Sequence, residues 1–162
     1  MTTAYHYTTR DRALFIIGME VIVPATASVN AGEKPLVWFS RNDRWEPTAT
    51  KLIQYEGLPL RRATWEEMVR FEPVRFAVLA KTLIPWADIP SATGMKRRVA
   101  KELAEIGRVQ GANPSHWMGS LDPVHLSSVL AIEQYVDGAW VPDPASELLH
   151  GSILQPIAEV VA

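Results

Sequence analysis

Hydrophobic and polar positions in the first forty residues form three short runs that predict strands. Residues 4–8 alternate aromatic, polar and small side chains, and residues 20–24 and 35–40 are rich in β-branched and aromatic groups. Between the first two runs, "RALFIIGM" predicts a helix, with Thr9 or Asp11 as its expected cap. The polar stretch at 25–34 predicts a loop. The order is therefore strand, helix, strand, loop and strand.

The later pattern predicts two further helices and three further strands. Thr64 and Glu67 have the spacing of a capping box, so a short helix is expected to follow Thr64. Residues 73–83 predict a strand with Arg75 on one face and Val74 and Phe76 on the other. The other expectations are one helix over 91–109, a loop over 111–123, and two strands within 127–141 joined by a turn at 137–138. Residues 48–55 fit helix and strand equally.

The predicted strands and helices indicate the α+β class, and the composition is that of an ordinary globular chain. With 162 residues, a single domain over 1–162 is expected, and residues 143–162 form a helix-leaning C-terminal tail segment. Hydrophobic residues make up 48%, charged residues 21%, and the formal net charge is −2, so bulk charge does not indicate nucleic-acid binding. There is no cysteine, which excludes disulfides and thiolate chemistry. No apolar run reaches the roughly 18 residues of a membrane helix, so we expect no membrane partner and a cytoplasmic location.

Two residues have the chemistry of a functional site. His6 lies between two tyrosines, and alternation places it on one face of its strand with Thr8. It is either a structural histidine or a ligand contact beside the N–H groups of the following helix, which would favour an anion. Glu133 lies in the apolar run "VLAIEQY", so it is either paired with Arg75 or another basic side chain, or functional.

Other chemistries have little support in the sequence. A metal site would have to gather His6, His116, His125 and Glu133 without any HExxH pattern, so no metal is expected. No GxSxG elbow and no glycine-rich phosphate loop occurs. The segment "WEPTATK" at 45–51 is either a loop that lines a cleft and receives the acceptor, or a surface turn with Trp45 anchored on the core.

The order of these motifs resembles the ADP-ribosyltransferase fold family, in its diphtheria-toxin and poly-ADP-ribose polymerase branch. "YHYTT", a helix ending "IIGM", the strands "VIVP" and "VWFS", and a late strand with a glutamate follow one another as in that family. The likeness covers residues 5–40 and the surroundings of Glu133, about a third of the chain. It implies a short-stranded split sheet around a cleft, with flanking helices.

The resemblance also implies an activity and the residues that carry it. NAD would be cleaved at the nicotinamide–ribose bond, and ADP-ribose would pass to a protein or nucleic-acid acceptor. His6 would bind a ribose hydroxyl with Tyr7 and Thr8 beside it, Ser40 would end the second cleft strand, and Trp38, Tyr55 or Trp45 would stack on nicotinamide. Arg75 completes the expected NAD-binding set. Glu133 would stabilise the positive charge that develops on the sugar.

Several family features are missing, and two other functions stay open. No pair of tyrosines at helical spacing follows the second strand, and Ala131 stands where arginine-modifying members carry a second acidic residue. An RNA 2′-phosphotransferase-like enzyme would need basic residues such as Arg10, Arg41, Arg44 and Arg75 in the cleft. A non-catalytic binding module on the same scaffold would leave Glu133 merely ion-paired. A toxin, a phage protein and a housekeeping enzyme all suit so small a domain.

Overall fold

The computed structural model describes residues 2–27 and 29–151, which form a mixture of short strands and helices. This confirms the predicted α+β class. The strands are β1 (Thr3–Thr9), β2 (Val21–Ile22), β3 (Val37–Ser40), β4 (Leu52–Ile53), β5 (Arg61–Arg62), β6 (Pro73–Leu79), β7 (Ile84–Pro85), β8 (Trp117–Ser120), β9 (Val124–His125), β10 (Ala131–Val136) and β11 (Ala139–Pro142). The helices are α1 (Arg10–Met19), α2 (Trp65–Arg70), α3 (Ile89–Thr93), α4 (Arg97–Val109) and α5 (Ser146–Gly151).

A seven-stranded antiparallel sheet organises the fold, in the order β11-β10-β6-β1-β3-β8-β7. Strands β2 and β9 form a separate pair, and so do β4 and β5. Within the large sheet, β1 pairs with β6 along its whole length, but with β3 only at Tyr5 opposite Ser40. The sheet is therefore split between β1 and β3.

The strand register assigns side chains to two faces of the sheet. His6 lies opposite Phe76, which in turn lies opposite Ile132, so these three side chains share one face. That face packs on α1 and forms the main hydrophobic core; we call it the α1 face. The neighbouring row, Tyr7 opposite Arg75 and Arg75 opposite Glu133, points to the other side.

This other side, the aromatic face, is covered in two halves. Helix α4 packs over β8, where Gly107 meets Trp117. Over β1, β6, β10 and β11, five aromatic rings form a closed series in which neighbouring ring centroids are 5.0–5.6 Å apart. The rings are Tyr7, Trp45, Trp65, Tyr135 and Trp140. They attach the 41–46 loop and α2 to the sheet, because Trp45 belongs to that loop and Trp65 to α2.

Locally encoded elements agree with the sequence predictions. The first three strands and the first helix form, and α2 begins at Thr64 with the expected capping box. Strands β10 and β11 form the expected hairpin, whose turn at Asp137 and Gly138 has φ of 49° and 87°.

Two other predictions are wrong, and the structure decides between helix and strand for residues 48–55. The helix expected over 91–109 is broken: α3 ends at Thr93, Gly94 follows it with a φ of 80°, and α4 begins at Arg97. A Cβ at Gly94 would lie 3.2 Å from the Gly32 carbonyl oxygen, so this close approach also requires glycine. The loop expected over 111–123 contains β8, which extends the sheet beyond β3. Residues 48–55 contain the end of a 3₁₀ turn at Pro47–Ala49, followed by β4.

The start of the expected C-terminal tail docks on the sheet. The backbone N–H of Asp143 donates to Ile132, its carboxylate pairs with Arg10 at 2.5 Å, and α5 packs beside β10. The rest of the 143–162 segment, from residue 152 on, lies outside the described residues. Across 2–27 and 29–151, none of the helices is both long enough and apolar enough to cross a membrane.

Candidate functional site

A groove of about 670 Å³ opens where β1 and β3 separate. Its walls come from these two strands and β8, from the segments 25–27, 29–36 and 46–52, and from α4 together with the end of α3 and the turn between these helices. Its lining includes His6, Trp38, Ser40, Glu46, Lys51 and Trp117. A concave site of this volume is within the usual range for small-molecule and cofactor pockets.

His6 occupies the split in the sheet. Its Nδ1 lies 2.9 Å from the carbonyl oxygen of Trp38, in the stretch where β1 and β3 no longer pair. A carbonyl oxygen only accepts, so Nδ1 carries the proton and donates it. Burial lowers the pKa of His6 from its ordinary 6.5, the bond to Trp38 opposes this shift, and the charge of Lys51 adds to it. His6 is therefore neutral at pH 7, and its Nε2 is an acceptor.

Tryptophan side chains form an aromatic wall of the groove. Trp38 and Trp117 project from β3 and β8 on the aromatic face, with ring centroids 6.5 Å apart and planes at 80°. Trp86 packs edge to face on Trp117 at 5.0 Å and fixes its orientation. Trp117 is buried beneath Gly107 of α4, so of these two rings the half-buried Trp38 is the one that can present a surface to a planar heterocycle.

Glu46 holds the groove together from the buried end of the 46–52 loop. Its Oε1 accepts from the backbone N–H and the hydroxyl of Thr48 and from Nε1 of Trp117, at 3.2, 2.7 and 3.2 Å. Its Oε2 accepts from the Ser40 hydroxyl at 2.7 Å. Glu46 is 6% exposed, so these donors replace water around a buried carboxylate. Glu46, Ser40, Thr48 and Trp117 form what we call the Glu46 network.

Glu133 lies outside this groove and is ion-paired. Nε of Arg75 donates to Oε2 of Glu133 at 2.7 Å, and the guanidinium stacks on the rings of Tyr5 and Trp140, with 4.1 and 4.5 Å to their centroids. Arg75 also donates to the Asp43 carbonyl oxygen. Because Glu133 shares a sheet face with Arg75, it projects from the face opposite to His6. Of the two alternatives for Glu133, the structure therefore contains the ion pair with Arg75.

The structure brings together some of the predicted NAD-binding residues and separates others. His6, Tyr7, Trp38 and Ser40 all contribute to the groove. Among the described residues, Thr8, Arg75 and Glu133 are not part of its lining. Thr8 is buried beside His6 on the α1 face, and the first backbone N–H of α1, that of Arg10, already donates to Phe71. The expected anion contact at the start of α1 is therefore not part of the groove.

The 45–51 segment combines both interpretations made from its sequence. Trp45 is anchored in the aromatic series on the sheet, as a surface turn requires, while Glu46, Thr48 and Lys51 line the groove. The sequence marked this segment only by its density of polar and aromatic residues. It gave no sign of Trp117, because the strand that carries it was expected to be a loop.

The arginines expected for an RNA site and potential metal ligands do not converge on the groove. Arg10 pairs with Asp143, Arg41 donates to the Ser115 carbonyl oxygen, and Arg75 pairs with Glu133. Within residues 2–27 and 29–151, no three His, Asp or Glu side chains are placed to hold a metal ion. Comparisons with protein-family models, with curated proteins and with solved structures find no match for this chain.

Proposed function

We propose that the groove binds NAD and that the chain is an ADP-ribosyltransferase-like enzyme. The observation that carries this proposal is the position of His6 in the split between β1 and β3. Its Nδ1 is committed to the Trp38 carbonyl, so Nε2 can accept a hydrogen bond from a hydroxyl group of a sugar. A ribose bound at this point would lie beside His6, where β1 and β3 separate.

The aromatic wall supports the choice of a nucleotide. The half-buried Trp38, backed by the buried Trp117, offers ring surface to a planar base or to nicotinamide, in a groove large enough for a dinucleotide. The four arginines that an RNA 2′-phosphotransferase-like site would use are absent from the groove lining among the described residues. An aromatic wall without a ring of arginines favours NAD over the phosphate-rich backbone of RNA.

The reaction needs a fixed negative charge where positive charge develops. When the bond between C1′ of the ribose and nicotinamide breaks, nicotinamide leaves with the electron pair and the ribose carbon becomes positive. An acceptor then bonds to C1′ and releases its proton. Glu46 is the buried carboxylate of the groove, and its Oε2 has a single protein donor, Ser40, so a lone pair remains for the ligand. We therefore assign the charge-stabilising role to Glu46, with Glu133 as the competing assignment.

Nicotinamide release from NAD by purified protein tests this proposal. We expect turnover by the wild type and a loss of roughly 10²–10³-fold in kcat for Glu46→Gln, the usual cost of removing one group that stabilises transition-state charge. Glu105→Gln, an exposed change on α4, is the control and should retain wild-type activity. The Glu133→Gln variant separates the assignments, because its loss of activity beside an active Glu46→Gln protein would place catalysis at Glu133.

The Arg75–Glu133 pair gives one specific observation in favour of a non-catalytic binding module. That function predicts NAD binding by calorimetry without nicotinamide release. If the wild type neither binds nor cleaves NAD, the proposal is wrong, and RNA and protein partners become the next ligands to test.

A further inference from the structure

Helix α1 is apolar on the side that faces solvent as well as on the side that faces the sheet. Its sequence over 13–19, "ALFIIGM", contains no polar residue. The inner side belongs to the main hydrophobic core, whereas three large side chains on the outer side are 58–59% exposed: Leu14, Phe15 and Met19. A helix that is apolar all round is normally covered on all sides. Among the described residues, the outer side of α1 has no such cover.

Gly18 lies among these exposed side chains, and its own chain does not require glycine there. Its backbone is helical, and a Cβ built on it would meet no atom within 4 Å. Glycine inside a helix is less stable than alanine, but it allows another backbone to approach closely. Gly18 therefore suits a contact with a second helix. Leu14, Phe15, Gly18 and Met19 form what we call the α1 patch.

The spacing of the α1 patch is that of a helix-packing surface. Leu14 and Gly18 are four residues apart, and so are Phe15 and Met19, so the patch consists of two parallel ridges. Ridges of this kind pack into the equivalent grooves of another helix in the commonest class of helix crossing. In a two-fold pair the same patch lies on both sides, and the large side chains of one copy can enter the space at Gly18 of the other.

The charges at the two ends of α1 complement each other in an antiparallel pair. Arg12 precedes the patch and Glu20 follows it, and both are exposed. Within residues 2–27 and 29–151, no ion pair includes either of them. Asp11 lies in the first turn, where a carboxylate stabilises its own helix. Two antiparallel copies of α1 would bring Arg12 of each copy towards Glu20 of the other, so the helix is complementary to itself.

We infer that the α1 patch is a docking surface for a second copy of this chain, with the two α1 helices packed antiparallel about a two-fold axis. This inference goes beyond the proposed function, because no residue of the patch belongs to the groove lining in the described part of the chain. The contact is small, so the dimer is weak and in equilibrium with the monomer.

Sedimentation equilibrium of the full chain tests the inference between about 1 and 100 µM, where small interfaces dissociate. We expect the fraction of dimer to rise with concentration. Phe15→Lys should raise the dissociation constant of the dimer at least roughly tenfold. Ile106→Lys is the matched control, because Ile106 is 54% exposed on α4, and it should leave the dissociation constant within about twofold of wild type.

Two further variants separate the dimer contact from folding and fix its orientation. Gly18→Gln should also weaken the dimer at least roughly tenfold, because its side chain fills the space that the second helix needs. In chemical denaturation at concentrations where the chain is a monomer, the same variant should be at least as stable as the wild type. Arg12→Glu should weaken the dimer, and adding Glu20→Arg to it should restore the affinity.

Each contrary outcome names a different cover for the patch. A wild-type chain that stays a monomer throughout would overturn the inference: loss of stability in Phe15→Lys would then assign the cover to another part of the chain, and binding to phosphatidylcholine–phosphatidylglycerol vesicles would assign it to a membrane. A dimer that survives both Phe15→Lys and Gly18→Gln would overturn it as well, because it would use another surface. A dimer that the double charge reversal does not restore would refute the antiparallel arrangement.

Discussion

Replacement of Glu46 should test whether one carboxylate holds the groove in shape. In Glu46→Ala, the Trp117 indole N–H and the Ser40 hydroxyl lose their acceptor in a buried place, and the 3₁₀ turn at Pro47–Ala49 loses its cap. Each unpaired buried group costs about 1–3 kcal/mol, and a lost cap costs about 0.5–2 kcal/mol. Thr48 can recover part of its bonding from water. We therefore expect the free energy of unfolding to fall by about 3–5 kcal/mol.

Glu46→Gln is the matched variant that keeps the size and most of the bonding. The amide oxygen of the new glutamine can accept from the three groups that donate to Oε1 of Glu46. Its amide N–H can donate to the hydroxyl oxygen of Ser40, which already accepts from the backbone N–H of Asn42. The remaining loss is that of charge-assisted bonding, about 1 kcal/mol. Urea denaturation followed by tryptophan fluorescence measures both variants, with Glu105→Ala on the exposed side of α4 as a control near zero. A cost below about 1 kcal/mol for Glu46→Ala would show that the network does not hold the groove.

Two further predictions concern the packing and the ionisation of the same site. Gly107→Ala should lower the free energy of unfolding or shift the fluorescence of Trp117, because the new Cβ would lie 2.4 Å from that ring. Gly18→Ala places its Cβ where no atom lies within 4 Å, so it should raise the free energy of unfolding by up to about 1 kcal/mol. Equal changes in the free energy of unfolding for the two variants would contradict this prediction. His6 has a folded-state pKa below 6.5, so the unfolded chain binds more protons below neutrality and the free energy of unfolding should fall as pH drops below about 6.5. The same titration of His6→Gln should show a shallower fall, and identical slopes would refute the ionisation argument.

The elements that the sequence predicted are those whose signals are local. The capping box of Thr64 and Glu67 needs only four consecutive residues, and the turn at Asp137 and Gly138 needs two. The break after α3 is marked by Gly94, whose φ is 80°, and a helical periodicity alone does not reveal it; the close approach of the Gly32 carbonyl oxygen, distant in sequence, is a further constraint at the same position. Strand β8 is equally non-local, since its four residues become a strand by pairing with β3 and β7.

The candidate site shows the same limit in its chemistry. Alternation assigned His6 and Glu133 to a face of their own strands, but the relation between strands depends on the register through β6, which places them on opposite faces. Glu46 stands in a segment whose pattern fitted several structures, so its role emerges only when Ser40 and Trp117 are brought around it. The sequence shows which residues of one strand share a face, but which residues of different strands share a face depends on how the strands pair in the fold.

The residues at the separation of β1 and β3 contribute both to the stability of this chain and to its proposed function. Strands β1 and β3 meet at Tyr5 and Ser40 and then part, and their separation leaves backbone groups that a continuous sheet would pair. The His6 imidazole takes one of these groups, the Trp38 carbonyl, and Glu46 anchors the Ser40 end of β3 to the loop that carries Lys51. The residues that keep the groove open are therefore the ones that face its ligand. A ligand that binds where β1 and β3 separate should consequently raise the free energy of unfolding, because it would bind the folded chain and not the unfolded one.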